Sequence, residues 1–79
     1  MERYVFSNEA RAEVALKQMN QIIELYGVAT RADMKNIYGI ASTEEDKHFG
    51  WTDLSKAIFE VEHVNFEVVL ALPHALRLE

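Results

Sequence analysis

Residues 50–73 carry the pattern that most constrains how this chain can fold. Large apolar residues alternate with acidic or smaller residues in two runs, from Phe59 to His63 and from Phe66 to Leu72, and Pro73 follows the second run. Alternation of this kind predicts two β-strands. Proline ends a strand because it has no N–H to donate to the ladder. The pattern therefore predicts a C-terminal β-hairpin.

The register of this hairpin follows from its apolar residues. A two-residue turn at 64–65 would form the pairs His63–Phe66, Val61–Val68 and Phe59–Leu70. This register places every large apolar residue of both strands on one face, and a slip of one residue would scatter them. Asn65 is the turn residue best able to take a positive φ. On the other face Glu62 opposes Glu67, with Glu60 beside them, so we expect one apolar and one acidic face.

Two helices are predicted before the hairpin. In the segment Asn8–Tyr26 apolar residues recur at intervals of three and four, which indicates an amphipathic helix, and Gly27 suits its left-handed C-terminal position. Thr30, with Asp33 three residues later, predicts a capping box at the start of a second helix. Gly39 closes this second helix.

Three shorter segments complete the predicted fold. The polar run 42–48 is expected to form a surface loop with up to one helical turn, and Glu2–Phe6 could form a strand beside the hairpin. Thr52 or Asp53 could cap a third, short helix. The order predicts an α+β, winged-helix-like fold with two to three helices followed by a C-terminal β-hairpin. The predicted core consists of Leu16, Met19, Ile23, Met34, Ile37, Trp51, Leu54, Phe59, Val61, Val68 and Leu70.

Composition limits the class of protein. Seventy-nine residues make one domain, expected over residues 1–77, and Leu78-Glu79 is typical of a purification-tag remnant. The chain has no cysteine, which removes disulfides and thiolate metal sites and suits a reducing cytoplasm. Neither a membrane-spanning apolar run nor a signal-peptide profile is present in the sequence, so we expect a soluble cytoplasmic protein.

Four short segments together resemble a known group of proteins. They are Tyr26–Met34 (YGVATRADM), Tyr38-Gly39, Asp46–Leu54 (DKHFGWTDL) and Leu70–Pro73 (LALP). Over most of residues 7–73 the chain is similar to small uncharacterised proteins encoded by phages and prophages of Gram-positive bacteria. Those relatives tend to have a glycine in the hairpin turn, where this chain has His63-Val64-Asn65. The resemblance implies a phage or prophage setting and brings no known activity or functional residue.

Two classes of binding function stay open at this point. The acidic strip of Glu60, Glu62 and Glu67 could be a surface for a protein partner or a second copy, or could only protect a sheet edge. The alternative is a DNA-binding winged-helix regulator, with contacts from Arg31, Lys35, Lys47 and Lys56. A formal net charge of −5 and an acidic wing favour the protein-binding interpretation.

Catalysis and cofactor binding are not expected. The sequence contains no plausible nucleophile–base–acid set and no glycine-rich phosphate loop. His48, His63 and His74 lack the spacing of a metal site. Trp51 could anchor a partner, but in so small a chain it is more often the central packing residue.

Overall fold

The computed structural model describes residues 1–62 and 65–78. It contains two helices and two three-stranded antiparallel sheets, which confirms the α+β class. The elements in chain order are β1 (Glu2–Phe6), α1 (Glu9–Tyr26), β2 (Ala29–Thr30), α2 (Arg31–Tyr38), a 3₁₀ turn (Glu45–His48), β3 (Phe49–Trp51), β4 (Ile58–Glu62), β5 (Glu67–Leu72) and β6 (Leu76–Arg77). Neither helix is long and apolar enough to cross a membrane over the described part of the chain.

The first sheet contains the predicted strand pair and has the order β1-β5-β4. Its β4–β5 register pairs Phe59 with Leu70 and Val61 with Val68, as the apolar pattern predicts. The N-terminal strand is confirmed, and it lies on the other side of β5, with Tyr4 opposite Leu70. The predicted pair of His63 with Phe66 and the predicted turn position of Val64 lie outside the described residues.

The turn that follows β4 contains a residue in the left-handed region. Phe66 takes a positive φ, at 57°. The described β4–β5 ladder ends at Glu62–Glu67, and β5 begins at Glu67. The positive φ expected of Asn65 stays a prediction, because its neighbour Val64 lies outside the described residues.

A second, smaller sheet replaces the predicted third helix. It has the order β2-β3-β6, and Gly50 in β3 pairs with Thr30 in β2. A Cβ at Gly50 would lie 2.9 Å from the Cα of Thr30, so this close approach of two backbones requires glycine. After β3 the Asp53 carboxylate accepts a hydrogen bond from the Ser55 N–H at 2.8 Å and stabilises a turn. The prediction of a third, short helix capped by Thr52 or Asp53 is therefore wrong.

Both helices begin and end where their capping residues predict. The Asn8 side chain accepts a hydrogen bond from the N–H of Arg11, and Gly27 ends α1 with φ 83°. Thr30 and Asp33 form the full capping box of α2, and Gly39 ends it with φ 97°. Each cap satisfies backbone groups that a helix end leaves without partners. The glycines adopt a conformation that costs other residues energy.

The core lies between α1, α2 and the first sheet. Six of the predicted core residues are buried (Met19, Met34, Trp51, Leu54, Val68, Leu70), and three are partly buried against them (Leu16, Ile23, Ile37). Trp51 is fully packed, and its Nε1–H donates to the carbonyl oxygen of Pro73 at 2.7 Å. Phe59 and Val61 are the exceptions, because α1 packs mainly against β5 and β1 and leaves β4 uncovered.

Candidate interaction surface

The two outer strands of the first sheet differ in how far other elements contact their outer side. Along β1, the Tyr38 hydroxyl donates to the carbonyl oxygen of Val5 at 2.9 Å, and Arg31 of α2 binds the Glu2 carboxylate. Along β4, no strand of the described chain pairs with the outer side. An edge strand presents unpaired N–H and C=O groups, which are a template for pairing with another chain. The outer side of β4 is therefore an open edge.

Apolar side chains on both faces of β4 are exposed beside this edge. On the face toward α1, Phe59 is 37% exposed and Val61 is 53% exposed. On the opposite face Ile58 is 47% exposed. Phe66, in the turn between β4 and β5, is 79% exposed. Single exposed apolar residues are ordinary, but a contiguous group on an unpaired strand is typical of an interaction site. These four residues and the open edge define the surface that we name the β4 edge.

Phe59 also forms part of a groove between β4 and α1. The groove has a volume of about 450 Å³, and Leu16 contributes the other large apolar side chain. Glu13, Lys17 and Glu24 of α1 lie around it, so its rim carries both signs of charge. The groove exists because α1 lies over β5 and β1, and it extends the β4 edge toward the helix.

The three acidic residues predicted as a partner surface lie on the face of the sheet away from α1. Glu62 is directly opposite Glu67, which is the like-charged pair that the register predicts. Glu60 forms an ion pair with Arg3 across β5. The two side chains of this pair are 41% and 56% exposed, so water screens the attraction. The strip thus carries three acidic side chains, of which Glu60 is partly neutralised by Arg3.

The four basic residues of the DNA hypothesis are distributed differently. Arg31 and Lys35 on α2 are both in ion pairs, Arg31 with Glu2 at 2.6 Å and Lys35 with Asp46 at 2.9 Å. Lys47 in the 3₁₀ turn binds Glu44 at 3.1 Å. Lys56 lies in the turn before β4 and lines a shallow groove beside Trp51 and Pro73. The structure brings Arg31 and Lys35 together around Asp46 and places Lys56 elsewhere.

Asp46 is the one charged residue of the described chain that is buried, with 4% of its surface exposed. Its Oδ2 accepts hydrogen bonds from the Thr43 N–H at 2.8 Å and from Lys35 Nζ at 2.9 Å. The hydrogen bond from Thr43, with the Lys35 ammonium next in effect, holds the pKa of Asp46 below its usual range. No role was predicted for Asp46 from the sequence, although a Thr followed three residues later by an acidic residue is the spacing of a capping box.

The groups around Asp46 are similarly satisfied. A hydrogen bond to Glu2 raises the pKa of Arg31. Burial raises the pKa of Tyr4 to about 12, and the charge of Glu2 and a hydrogen bond to it act in the same direction. These shifts keep Asp46 and Arg31 charged and Tyr4 neutral at neutral pH. The cluster therefore fixes β1, α2 and the 3₁₀ turn together.

A larger groove, of about 840 Å³, lies between the end of β1, the start of α1 and the end of α2. Two of its polar side chains already have internal partners. Asn8 caps α1, and Tyr38 binds the carbonyl oxygen of Val5. Within residues 1–62 and 65–78, no group of three or more metal-binding side chains converges. The β4 edge combines an unpaired strand edge with exposed apolar side chains within the described chain.

Comparison with known proteins does not assign the chain to a family. No protein-family model matches it, and no curated protein and no solved structure is significantly similar to it. The functional argument therefore rests on the residues and their geometry.

Proposed function

We propose that this chain is a non-enzymatic binding module of a phage or prophage, acting in the cytoplasm of the bacterial host. It binds a protein partner, or a second copy of itself, through the β4 edge. The observation that carries this proposal is that β4 is open along its outer side and exposes apolar side chains on both faces. An extended segment that adds to such an edge gains backbone hydrogen bonds, and alternate side chains give specificity.

The contrast with β1 supports this interpretation. Natural proteins block exposed sheet edges, and here α2 does so for β1 through Tyr38 and Arg31. β4 contains neither lysine nor proline, the residues most often used to protect an edge. Its only charges are Glu60 and Glu62, which select for a partner with basic or apolar residues opposite them.

The DNA-binding regulator is the less favoured function. It relies on a winged-helix-like arrangement in which β4 and β5 form the wing, and fold analogy alone is a weak guide to function. The acidic strip of Glu60, Glu62 and Glu67 would repel phosphate. Two of the proposed contacts, Arg31 and Lys35, would have to leave internal ion pairs before they could bind a backbone phosphate.

The test compares the wild-type chain with a triple variant in which Glu60, Glu62 and Glu67 are each changed to Lys. A matched control reverses Glu9, Glu44 and Glu45, which are exposed acids elsewhere, and changes the net charge equally. We expect self-association, or binding of a purified partner first captured from host lysate, to be lost in the β4 variant and kept in the control. Association that survives the β4 reversal contradicts the proposal, as does a wild-type chain that binds nothing.

A further inference from the structure

We infer that the occupant of the β4 edge is a second copy of this chain, paired antiparallel with β4 about a two-fold axis at Phe59. This inference rests on the proposed function, because it names the partner of the same surface. The segment Lys56–Glu62 (KAIFEVE) is complementary to its own reverse when Phe59 of one copy lies opposite Phe59 of the other. The three central pairs fall inside β4, and Ala57 and Lys56 directly precede it.

Most of the pairs formed in this register are favourable. Toward α1, Phe59 meets Phe59, and Val61 meets Ala57 of the second copy. On the acidic face, Lys56 meets Glu62 of the second copy, and Ile58 meets Glu60. Aromatic cross-strand pairs and opposite charges each stabilise a sheet. The dimer would contain one aromatic pair, two apolar pairs, two Lys–Glu pairs and two neutral Ile58–Glu60 pairs, with no like charges directly opposed.

Neighbouring registers lose this match. A two-fold axis at Glu60 would oppose two Glu60 carboxylates, and an axis at Val61 would twice oppose Glu60 to Glu62. Like charges that are directly opposite destabilise a strand pair. A shift by an odd number of residues would place Phe59 beside a glutamate, because side chains alternate between faces along a strand. An axis at Ile58 also avoids like charges, but it would leave only the Ile58–Ile58 pair inside β4. Charge, period and strand length together select the axis at Phe59.

The second copy would also bring a cation to the acidic end of each hairpin. Glu62 lies directly opposite Glu67 at the end of the described β4–β5 ladder. In the proposed dimer Lys56 of the second copy lies on the other side of Glu62. A cation there reduces the repulsion between Glu62 and Glu67. The long lysine side chain allows this contact even though Lys56 belongs to the turn before β4.

The arrangement of α1 is compatible with this dimer. A two-fold axis perpendicular to the sheet places both copies of α1 on the same side of a continuous six-stranded sheet. With strands about 4.8 Å apart, two helices that each lie over β5 would be about 14 Å apart, which leaves room for the Phe59 pair between them. The groove beside Leu16 then receives apolar side chains of the second copy, and its mixed rim of Glu13, Lys17 and Glu24 imposes no single repelling charge.

The decisive experiment uses two single charge reversals, Lys56→Glu and Glu62→Lys, followed by sedimentation over a range of concentrations. Both side chains are exposed, so neither change disturbs the core. We expect the wild-type chain to dimerise and each variant alone to have a dissociation constant raised at least tenfold, because two like-charged pairs replace two opposite ones. An equimolar mixture of the two variants should dimerise again, since every Glu then faces a Lys. The control Lys47→Glu, in the 3₁₀ turn, should behave as wild type.

A cysteine test fixes the register independently, since the natural chain has no cysteine. Residues directly opposite in an antiparallel pair have Cα atoms about 4.5–5.5 Å apart, which lies within the range of a disulfide. Mild oxidation should therefore cross-link Phe59→Cys much faster than Glu60→Cys or Val61→Cys. Fastest cross-linking of Glu60→Cys would place the axis at Glu60 and overturn the inference.

The remaining outcomes separate this inference from the proposed function. A wild-type chain that stays monomeric at millimolar concentration overturns the dimer. If that monomer still binds a purified partner, and the Glu60, Glu62 and Glu67 reversals abolish binding, the proposed function stands without the dimer. A dimer unaffected by Lys56→Glu, Glu62→Lys and the triple reversal uses another surface and overturns both.

Discussion

At the scale of single residues, Phe66 combines a strained backbone with an exposed side chain. Its φ of 57° lies in the left-handed region, and 79% of its surface is exposed. A residue with a bulky side chain pays roughly 1–2 kcal/mol for that conformation. Strain of this kind tends to occur at binding sites, because selection for stability alone would remove it. The strained, exposed Phe66 is therefore compatible with the binding role proposed for the β4 edge.

Replacement of Phe66 by glycine should stabilise the protein. Glycine takes the left-handed conformation without strain but loses about 0.5–1 kcal/mol of chain entropy on folding. The net gain is about 0.5–1 kcal/mol, which raises the Tm by about 2–8 °C for a chain of this size. Thermal melts of Phe66→Gly and of the control Ser55→Gly, an exposed turn residue whose φ is not positive, provide the measurement. A Tm for Phe66→Gly below that of the wild type would contradict the prediction.

At the scale of elements, the capping residues and the strand alternation predicted the structure correctly, whereas the helical spacing after Gly50 did not. The ends of α1 and α2 are set by local contacts of Asn8, Thr30 and the glycines, so the sequence alone locates them. The β4–β5 register follows from alternation for the same reason. Trp51, Leu54 and Ile58 have helical spacing, but the decisive fact at β3 is the close backbone approach at Gly50, which is a tertiary contact.

The open edge of β4 could be predicted only in part. Alternation placed Phe59 and Val61 on the same face as Leu70, and that is correct. Whether that face is covered depends on where α1 crosses the sheet, and a single sequence contains no local signal for this. The structure shows that α1 lies over β5 and β1. The residues predicted as core consequently form part of the candidate binding surface.

Asp46 ties the 3₁₀ turn to α2, and its contribution should depend on pH. Its pKa in the folded protein is lowered, chiefly by the hydrogen bond from Thr43 and then by Lys35. Its stabilising effect is therefore complete above its unfolded pKa of about 3.9 and is lost as the pH falls through the folded value. We expect Asp46→Asn to be less stable than the wild type at pH 7, with a difference that shrinks below about pH 4.

Urea unfolding of both proteins at a series of pH values measures this difference. Glu44→Gln is a suitable control, because the Glu44 side chain is 78% exposed and its ion pair with Lys47 lies on the surface. The difference between the free energies of unfolding of the two proteins at each pH cancels the contribution of the acidic residues that both proteins share. A stability difference that stays constant down to strongly acidic pH would show that the charge of Asp46 is not what stabilises the turn.

At the scale of the whole molecule, several cations are held in ion pairs within the described chain. Arg31 and Lys35 pair with Glu2 and Asp46, and Arg3 pairs with Glu60. Glu62 and Glu67 lie side by side on the outer face of the hairpin. With a formal net charge of −5, the molecule attracts a polyanion neither globally nor at its hairpin. This distribution suits a protein surface better than a nucleic-acid surface.

We therefore expect no binding of mixed-sequence duplex DNA in a gel-shift assay at low salt with tens of micromolar protein. Even non-specific binders, with dissociation constants of roughly 10⁻⁴ to 10⁻⁶ M, become visible under such conditions. The triple variant of Glu60, Glu62 and Glu67 to Lys serves as the positive control, because it adds six charge units and takes the formal net charge from −5 to +1. That variant should shift the DNA, since a basic hairpin attracts phosphate. A wild-type shift that Lys56→Gln weakens would instead support the regulator and remove the electrostatic argument against it.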